Sequence, residues 1–194
     1  SRTGLNYLFT KRLLDLPKES YLRYLGELTE SAAFLKHVER ELASVGPTQG
    51  EFHVGGPGLL YIITRALKPR AVVETGVAAG ISSAFILMAL EANGSGDLYS
   101  IDMPGYDVEL GRRGVIPKSV TELPVNKPGF VVPSGLKHRW HLRIGLSKDE
   151  LPPLLGELGR IDVFLHDSEH SYENMLFEYR TSWPYLSGGG VLLS

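Results

Sequence analysis

Acidic and histidine side chains close several short apolar runs of this sequence, where they could bind a ligand or move a proton. Glu74 comes near the end of the run "AVVET", Asp102 ends "DLYSID", and His166, Asp167 and His170 follow "IDVFL". A carboxylate can accept hydrogen bonds from sugar hydroxyls or coordinate a hard cation, and a neutral imidazole can take up a proton near neutral pH. These residue types therefore suit nucleoside binding, metal binding and general-base chemistry.

A glycine-rich turn follows the first of these acids. The stretch "VVETGVAAGISSAF" passes from β-branched residues through the turn into an apolar helix. A dinucleotide fingerprint would need glycines at positions 76, 78 and 81, where the chain has Gly76, Ala78 and Ile81. A P-loop is excluded as well, because no Gly-Lys-Ser/Thr follows. The turn therefore predicts room for an adenosine that carries no phosphate.

Strand-like and helix-like segments alternate from residue 70 onward. Strands are predicted at residues 71–75, 97–102, 141–145, 161–166 and 190–194, and helices at 82–92, 148–158 and 172–185. This alternation indicates right-handed crossovers and a parallel sheet with helices on both faces. Ligands bind beyond the carboxyl ends of such strands. The candidate positions there are 74–80, 102, 145–147 and 166–170.

The segments before the sheet have helical periodicity. Apolar residues recur at helical spacing from Tyr21 to Leu42, and a further helix begins near Pro57 and ends before Lys68. We therefore predict an N-terminal helical cap at residues 1–68 and an α/β domain at residues 69–194.

The α/β domain contains a long predicted loop at residues 103–139. Its cations and aromatic residues, together with Trp140 directly after it, are Arg112, Arg113, Lys118, Lys127, Lys137, Arg139, Tyr106 and Phe130. They fit an ordinary solvated loop. They also fit a lid that binds an acidic acceptor, because a loop after the second strand overhangs the ligand edge.

The turn resembles the first motif of the class I S-adenosylmethionine-dependent methyltransferases. Glu74, Gly76, Ala78 and Gly80 match that motif, with Ala78 in place of the commoner middle glycine. The resemblance implies that these residues, with Ser82 at the start of the next helix, bind S-adenosylmethionine. It also implies a Rossmann-like sheet of strand order 3-2-1-4-5, with strands 6 and 7 missing from this chain.

Later segments are similar to the same family. Asp102 stands where the family places an acid that binds the ribose hydroxyls, although an acid at this spacing also suits NAD. "RIGLSKDELP" resembles the segment near the adenine, with Ser147 as the match and Leu146 as a departure from the commoner Asp. "YLSGGGVLLS" looks like the glycine turn that opens the fifth strand.

The segment "HDSEHSYEN" resembles the D-x-[DE]-H-x-Y segment of one methyltransferase group and is similar to that of metal-dependent small-molecule O-methyltransferases. The resemblance implies that Asp167 binds a divalent cation such as Mg²⁺, with further ligands after the fifth strand. It places His170 where those enzymes have their catalytic lysine, as the base. Asp167 could instead cap the following helix, His170 could be an ordinary first-turn histidine or bind the acceptor, and His166 could be a core histidine.

Composition limits the classes of partner. The chain has 194 residues, with 20 Lys and Arg against 22 Asp and Glu and a formal net charge of -2. We therefore expect no nucleic-acid partner. The absence of Cys excludes disulfides and is consistent with a cytoplasmic protein. No signal peptide or membrane-spanning segment is evident, and hence no membrane partner is expected. The first residue is Ser1 and the last residues form an apolar run, so we expect a longer parent protein.

The sequence thus predicts an S-adenosylmethionine-dependent methyltransferase that methylates a hydroxyl of a small-molecule acceptor, with cation assistance as a further option. An NAD-dependent oxidoreductase is the first alternative, disfavoured by Ala78 and Ile81. The second alternative is a non-catalytic cofactor-binding or scaffold module. A homo-oligomer could form through the N-terminal helices.

Overall fold

A five-stranded parallel β-sheet with helices on both faces forms the centre of the fold. The computed structural model describes residues 2–44, 55–103 and 128–194. The strands are β1 (Ala71–Thr75), β2 (Asp97–Asp102), β3 (Trp140–Ile144), β4 (Ile161–His166) and β5 (Leu186–Leu193). They pair in parallel in the order β3-β2-β1-β4-β5. The predicted fold class and strand order are confirmed.

The helices connect the strands and precede the sheet. They are α1 (Arg2–Leu14), α2 (Lys18–Glu30), α3 (Ala32–Ala43), α4 (Gly55–Leu67), α5 (Ile81–Asn93), α6 (Ser147–Leu158) and α7 (Tyr172–Ser182), with two 3-10 helices at Ser134–Arg139 and Trp183–Tyr185. Within the described ranges, none of these helices combines the length and the apolar character that crossing a bilayer requires.

The fifth strand begins earlier than predicted, at Leu186 instead of Gly190. Leu186 pairs with Ile161, and the register then shifts so that Val191 pairs with Val163. The irregular pairing takes up Ser187 and the glycines after it. Glycines weaken the strand signal in a sequence, since they lack the side chains that pack on a pleated surface.

Alternate residues of the central strands pack against the helices on opposite faces of the sheet. Val72 lies in a core with α5 and with Val38 of α3, whereas Val73 lies in a core with Leu151 of α6. Val38 has no exposed surface, so the N-terminal helices share a core with the sheet. Each fully buried side chain of this size stabilises the fold by roughly 1.5–3 kcal/mol. The site at the strand ends therefore rests on a rigid base.

The segment that returns from the long loop packs against the glycine turn. The Gly129 N–H donates to the Ala78 carbonyl at 2.8 Å, and the Val131 N–H donates to the Ala79 carbonyl at 3.1 Å. Val131 is fully buried. The end of the predicted loop is thus part of the core, and its backbone hydrogen bonds hold the glycine turn in place.

The described cations of this loop face other parts of the molecule. Arg139 donates to Glu91 of α5 at 2.7 Å, and Lys137 lies 5.9 Å from the centre of the Trp140 ring. Phe130 packs against the core. For this part of the loop, these contacts agree with the alternative in which its charges have no role in binding an acceptor. The remaining candidates lie outside the described residues: Tyr106, Arg112, Arg113, Lys118 and Lys127.

Substituting Gly80 tests the contact between the turn and the returning segment. Gly80 has φ +88°, and a Cβ there would lie 2.5 Å from the Cα of Gly129. We expect Gly80→Ala to lower the free energy of unfolding by about 3 kcal/mol, from left-handed backbone strain plus steric overlap. Gly94→Ala is the matched control, because Gly94 has φ +71° and open space around it. It should cost about 1 kcal/mol. If urea denaturation shows an equal loss in the free energy of unfolding for the two variants, the close contact between Gly80 and Gly129 is contradicted.

Candidate active site

A cleft opens at the carboxyl ends of β1, β2 and β4, where the order of the strands reverses direction. It encloses about 810 Å³, its open mouth included. Its lining residues are Gly76, Val77, Ala78, Ile101, Asp102, Met103, Gly145, Leu146, Ser147, Lys148, Asp167, Ser168, Glu169 and Asn174. This is the edge of the sheet at which the sequence predicts a ligand.

The glycine turn forms one wall of the cleft and packs tightly against the end of β4. Gly76 has φ +84°, and a Cβ there would lie 2.1 Å from the carbonyl oxygen of Asp167. The Gly76 N–H donates to Ile101, and the Asp167 N–H donates to Thr75, at 2.9 and 2.8 Å. Ala78 also has a positive φ, of 48°. The turn therefore presents backbone to the cleft, with only small side chains.

Three of the predicted turn residues do not line the cleft. Gly80 is in close contact with Gly129, and the hydroxyl of Ser82 donates a hydrogen bond to the carboxylate of Glu74. Since a direct contact with a ligand needs a residue at the cleft surface, this placement favours a supporting role for all three. Gly76 and Ala78 are the predicted turn residues that the structure brings to the cleft.

Glu74 is buried between β1, β2 and α5, with no exposed surface. Its carboxylate accepts hydrogen bonds from the hydroxyls of Ser82, Ser83 at 2.6 Å and Ser100 at 2.8 Å. Burial raises the pKa of Glu74 to about 7, against the hydrogen bonds, which lower it. Trp140 donates its indole N–H to Ser100 at 2.9 Å. The acid therefore ties the start of α5 to the strands, and so holds the turn between them.

The opposite wall comes from the ends of β2 and β3 and the start of α6. Asp102 and Ser147, both predicted to bind the cofactor, lie there beside Met103 and Lys148. The Ser147 hydroxyl donates to the side-chain oxygen of Asn174 at 3.2 Å. The structure thus brings Gly76, Asp102 and Ser147 to one cleft from three separate segments.

The sequence did not single out Met103, Lys148 or Asn174 as part of the site, whereas Ser168 lies within the candidate stretch 166–170. Met103 and Lys148 directly follow Asp102 and Ser147, which the sequence predicts to bind the cofactor. Their place in the sequence could therefore have indicated that they line the cleft. Asn174 lies in the first turn of α7 and reaches the cleft only because α7 packs against α6. No local pattern reveals that packing.

Asp167 and the residues after it form the third side of the cleft. Asp167 is exposed at the mouth, yet the protein around it desolvates the carboxyl and raises its pKa, while His170 and His166 act in the opposite direction. The N-cap of α7 is Ser171, which accepts a hydrogen bond from the Asn174 N–H at 3.3 Å. The alternative in which Asp167 caps this helix is therefore wrong.

The two histidines of this segment occupy different environments. His170 is exposed and does not line the cleft, and its ring meets the ring of His166 edge to face at 5.2 Å. His166 is buried with 1% of its surface exposed and pairs with Glu178 at 2.6 Å. His166 is thus a core histidine. The ring of His170 lies in contact with it, and in the sequence His170 directly follows Glu169, which lines the cleft.

A cation site would need more ligands than this region supplies. Within residues 2–44, 55–103 and 128–194, no three His, Asp or Glu side chains converge in a way that could hold a metal ion. Mg²⁺ prefers an octahedral shell of oxygen ligands, of which Asp167 offers one carboxylate. The described residues do not make a metal site, and the metal role of Asp167 stays a prediction.

Comparison with known proteins identifies the family. A family model described as "Methyltransferase domain" matches residues 73–194, which include the glycine turn and all the lining residues of the cleft. The chain belongs to this methyltransferase family. The prediction of a class I methyltransferase from the sequence is therefore confirmed. A search of curated proteins gave no match for the methyltransferase sequence.

Solved structures share the fold of this methyltransferase at low sequence identity. The O-methyltransferase from Bacillus cereus, in complex with SAH, has a TM-score of 0.55 and 14% identity over 95% of this chain and 69% of its own. SAH-bound PaMTH1 from Podospora anserina has a TM-score of 0.53 and 16% identity, over 91% and 70%. TomG from Streptomyces achromogenes, an O-methyltransferase of tomaymycin synthesis in complex with SAM, has 0.53 and 16%, over 98% and 70%.

Replacing Glu74 by Gln tests the buried acid that supports the turn. With a folded-state pKa of about 7 against an ordinary 4.5, Glu74 favours folding below pH 4.5 and loses that contribution as the pH rises to about 7. The free energy of unfolding of the unmodified chain, relative to that of Glu74→Gln, should thus fall by about 3 kcal/mol from acid to pH 8. Urea denaturation of both proteins between pH 4 and 8 measures this difference. Parallel pH profiles would show that Glu74 does not titrate abnormally.

Proposed function

We propose that the cleft binds S-adenosylmethionine and that the chain transfers its methyl group to a hydroxyl oxygen of a small molecule. The observation that carries the proposal is the meeting of a backbone-lined glycine turn with Asp102 and Ser147 in one cleft of a methyltransferase domain. The structural neighbours that bind SAH or SAM share this fold and add support.

The chemistry of the cleft fits an adenosine whose linker carries no phosphate. Asp102 ends β2 at the cleft, where a carboxylate can accept hydrogen bonds from both hydroxyls of a ribose. The turn packs onto the Asp167 carbonyl and lacks the second and third glycines with which dinucleotide sites approach a pyrophosphate. Ser147 and Leu146 line the side that would receive the adenine.

The reaction needs an acceptor oxygen in line with the bond that breaks. S-adenosylmethionine supplies an activated methyl group, and the acceptor oxygen forms a bond to that methyl carbon as the carbon–sulfur bond breaks and sulfur keeps the electron pair. The residues of this chain hold the reactants and remove the proton of the hydroxyl. His170 is our candidate base, since it is exposed, directly follows the cleft-lining residue Glu169 and could take that proton on its ring.

A divalent cation at Asp167 would need ligands from outside the described residues. We derive no step of the reaction through it. Cation assistance predicts loss of activity in a chelator and recovery on addition of Mg²⁺, and activity that is indifferent to both treatments would argue against it.

Ligand titration tests the cofactor assignment. We expect saturable binding of S-adenosylhomocysteine by calorimetry, and a loss of affinity of about 10-fold or more in Asp102→Asn, because a neutral amide accepts ribose hydrogen bonds less strongly than a carboxylate. Asp149→Asn is the control, since Asp149 is exposed on α6 and does not line the cleft. The absence of binding by the folded, unmodified chain would remove the proposal. Binding of NADH in its place would favour the oxidoreductase alternative.

Replacing His170 by Ala separates catalysis from cofactor binding. We expect kcat to fall by roughly 100-fold or more, as for the loss of a general base, while the Kd for S-adenosylhomocysteine stays unchanged. Transfer of radiolabelled methyl from S-adenosylmethionine to a panel of phenols and sugars supplies the assay. His138→Ala, at an exposed position on the 3-10 helix before β3, should leave kcat unaltered. A His170→Ala variant of normal activity would show that another group, or none, takes the proton.

A further inference from the structure

The carboxylate of Glu178 lies on α7 behind the cleft and has no exposed surface. Its Oε2 accepts a hydrogen bond from Thr75 Oγ1 and pairs with His166 Nδ1, each at 2.6 Å. Its Oε1 accepts from Ser168 Oγ at 2.7 Å and from Asn174 Nδ2 at 3.1 Å. One buried side chain therefore joins the ends of β1 and β4, the loop after β4, and α7.

Two of these four partners line the cleft. Ser168 and Asn174 contribute polar side chains to it, and Asn174 Nδ2 lies within 3.0 Å of both Ser168 Oγ and the carbonyl of Glu169. Asn174 also accepts from Ser147 on the opposite wall. The network that starts at Glu178 thus reaches two sides of the cleft, the one that follows β4 and the one that holds Ser147, although Glu178 itself does not line it.

Glu178 serves these partners as an acceptor. Burial acts to raise the pKa of its carboxyl, but the hydrogen bonds, led by that from His166, outweigh burial and lower it. The Nε2 atom of His166 is buried without a hydrogen-bond partner among the described residues. Among the described residues, the hydrogen bond to Glu178 is therefore the polar contact that holds this ring, which also packs edge to face against Tyr179. A buried ionised carboxylate with four partners is costly to disturb, since losing one partner leaves a buried polar group unsatisfied.

We propose that Glu178 is a positioning residue that sets the geometry of the cofactor cleft by fixing Ser168 and Asn174 from behind. The inference rests on the proposed function, in which this cleft binds S-adenosylmethionine. Glu178 does not touch the ligand and acts only through the cleft residues it orients. Its removal weakens ligand binding beyond what a general loss of stability produces.

The test measures S-adenosylhomocysteine binding by calorimetry, first on the unmodified chain and then on variants well below their melting temperatures. Glu178→Gln keeps the shape of the side chain and replaces one acceptor oxygen by a donor, so that two donors face each other. It is expected to raise the Kd by about 10-fold or more. Thr75→Val removes one hydrogen bond to Glu178 at a buried position outside the cleft lining. It is expected to raise the Kd by about threefold.

A control at a distance separates positioning from stability. Tyr61→Phe removes a hydrogen bond of 2.9 Å from a buried hydroxyl to Glu27, among the N-terminal helices. It should lower the melting temperature and leave the Kd unchanged.

Unaltered affinity in folded Glu178→Gln and in Thr75→Val would overturn the inference, and Thr75→Val alone decides if Glu178→Gln does not fold. An equal rise in Kd for Tyr61→Phe would also overturn it, because stability alone would then explain the effect. Failure of the unmodified chain to bind would instead refute the proposed function, and the inference with it.

Discussion

The close approach of the turn after β1 to the end of β4 is the constraint on which the site depends. Gly76 lies so near the carbonyl of Asp167 that a side chain at that position would overlap the backbone. The contact fixes the turn against the segment of Asp167, and so fixes these two sides of the cleft relative to each other. Because β1 and β4 pair along their length, the sheet holds both sides of this contact in register.

Two buried acids stabilise this arrangement from different sides. Glu74 connects β1 to the start of α5 and to Ser100 of β2, while Glu178 connects the end of β1 to β4 and α7. Each carboxylate accepts hydrogen bonds from at least three side chains, and a buried carboxylate without such donors would be strongly destabilising. The pKa values of the two acids move in opposite directions, upward for Glu74 and downward for Glu178. Burial prevails over the hydroxyl hydrogen bonds of Glu74, whereas the hydrogen bonds of Glu178, led by that from His166, together outweigh burial.

Much of the fold could be predicted because the central strands have clear local sequence patterns. β1, β2 and β4 are short runs rich in β-branched or apolar residues, and the observed bounds match the predicted ones. Candidate positions at strand ends followed from topology, which is why the sequence pointed to Asp102, Ser147 and Asp167, and all three line the cleft. The side chain of Glu74 points into the core and not toward the cleft, and this could not be predicted from the sequence. A strand that is buried on both faces has no polar face from which to infer where its side chains point.

The remaining parts of the site depend on packing between distant segments. Asn174 reaches the cleft only because α7 lies against α6. The end of the long loop is fixed only because Gly129 contacts Gly80 of the glycine turn. Asn174 and Glu178 are four residues apart, so the sequence could have predicted that their side chains are neighbours on one face of α7. The partners of that face, Thr75 and His166, lie far away in the sequence.

A crystal structure of the chain with S-adenosylhomocysteine tests the central claim most directly. We expect the ribose hydroxyls within hydrogen-bond distance of the Asp102 carboxylate, the adenine beside Ser147, and the sulfur end of the ligand beside the turn at Gly76 and Ala78. A ligand bound elsewhere, or a cleft that side chains fill while the ligand stays in solution, would contradict the account.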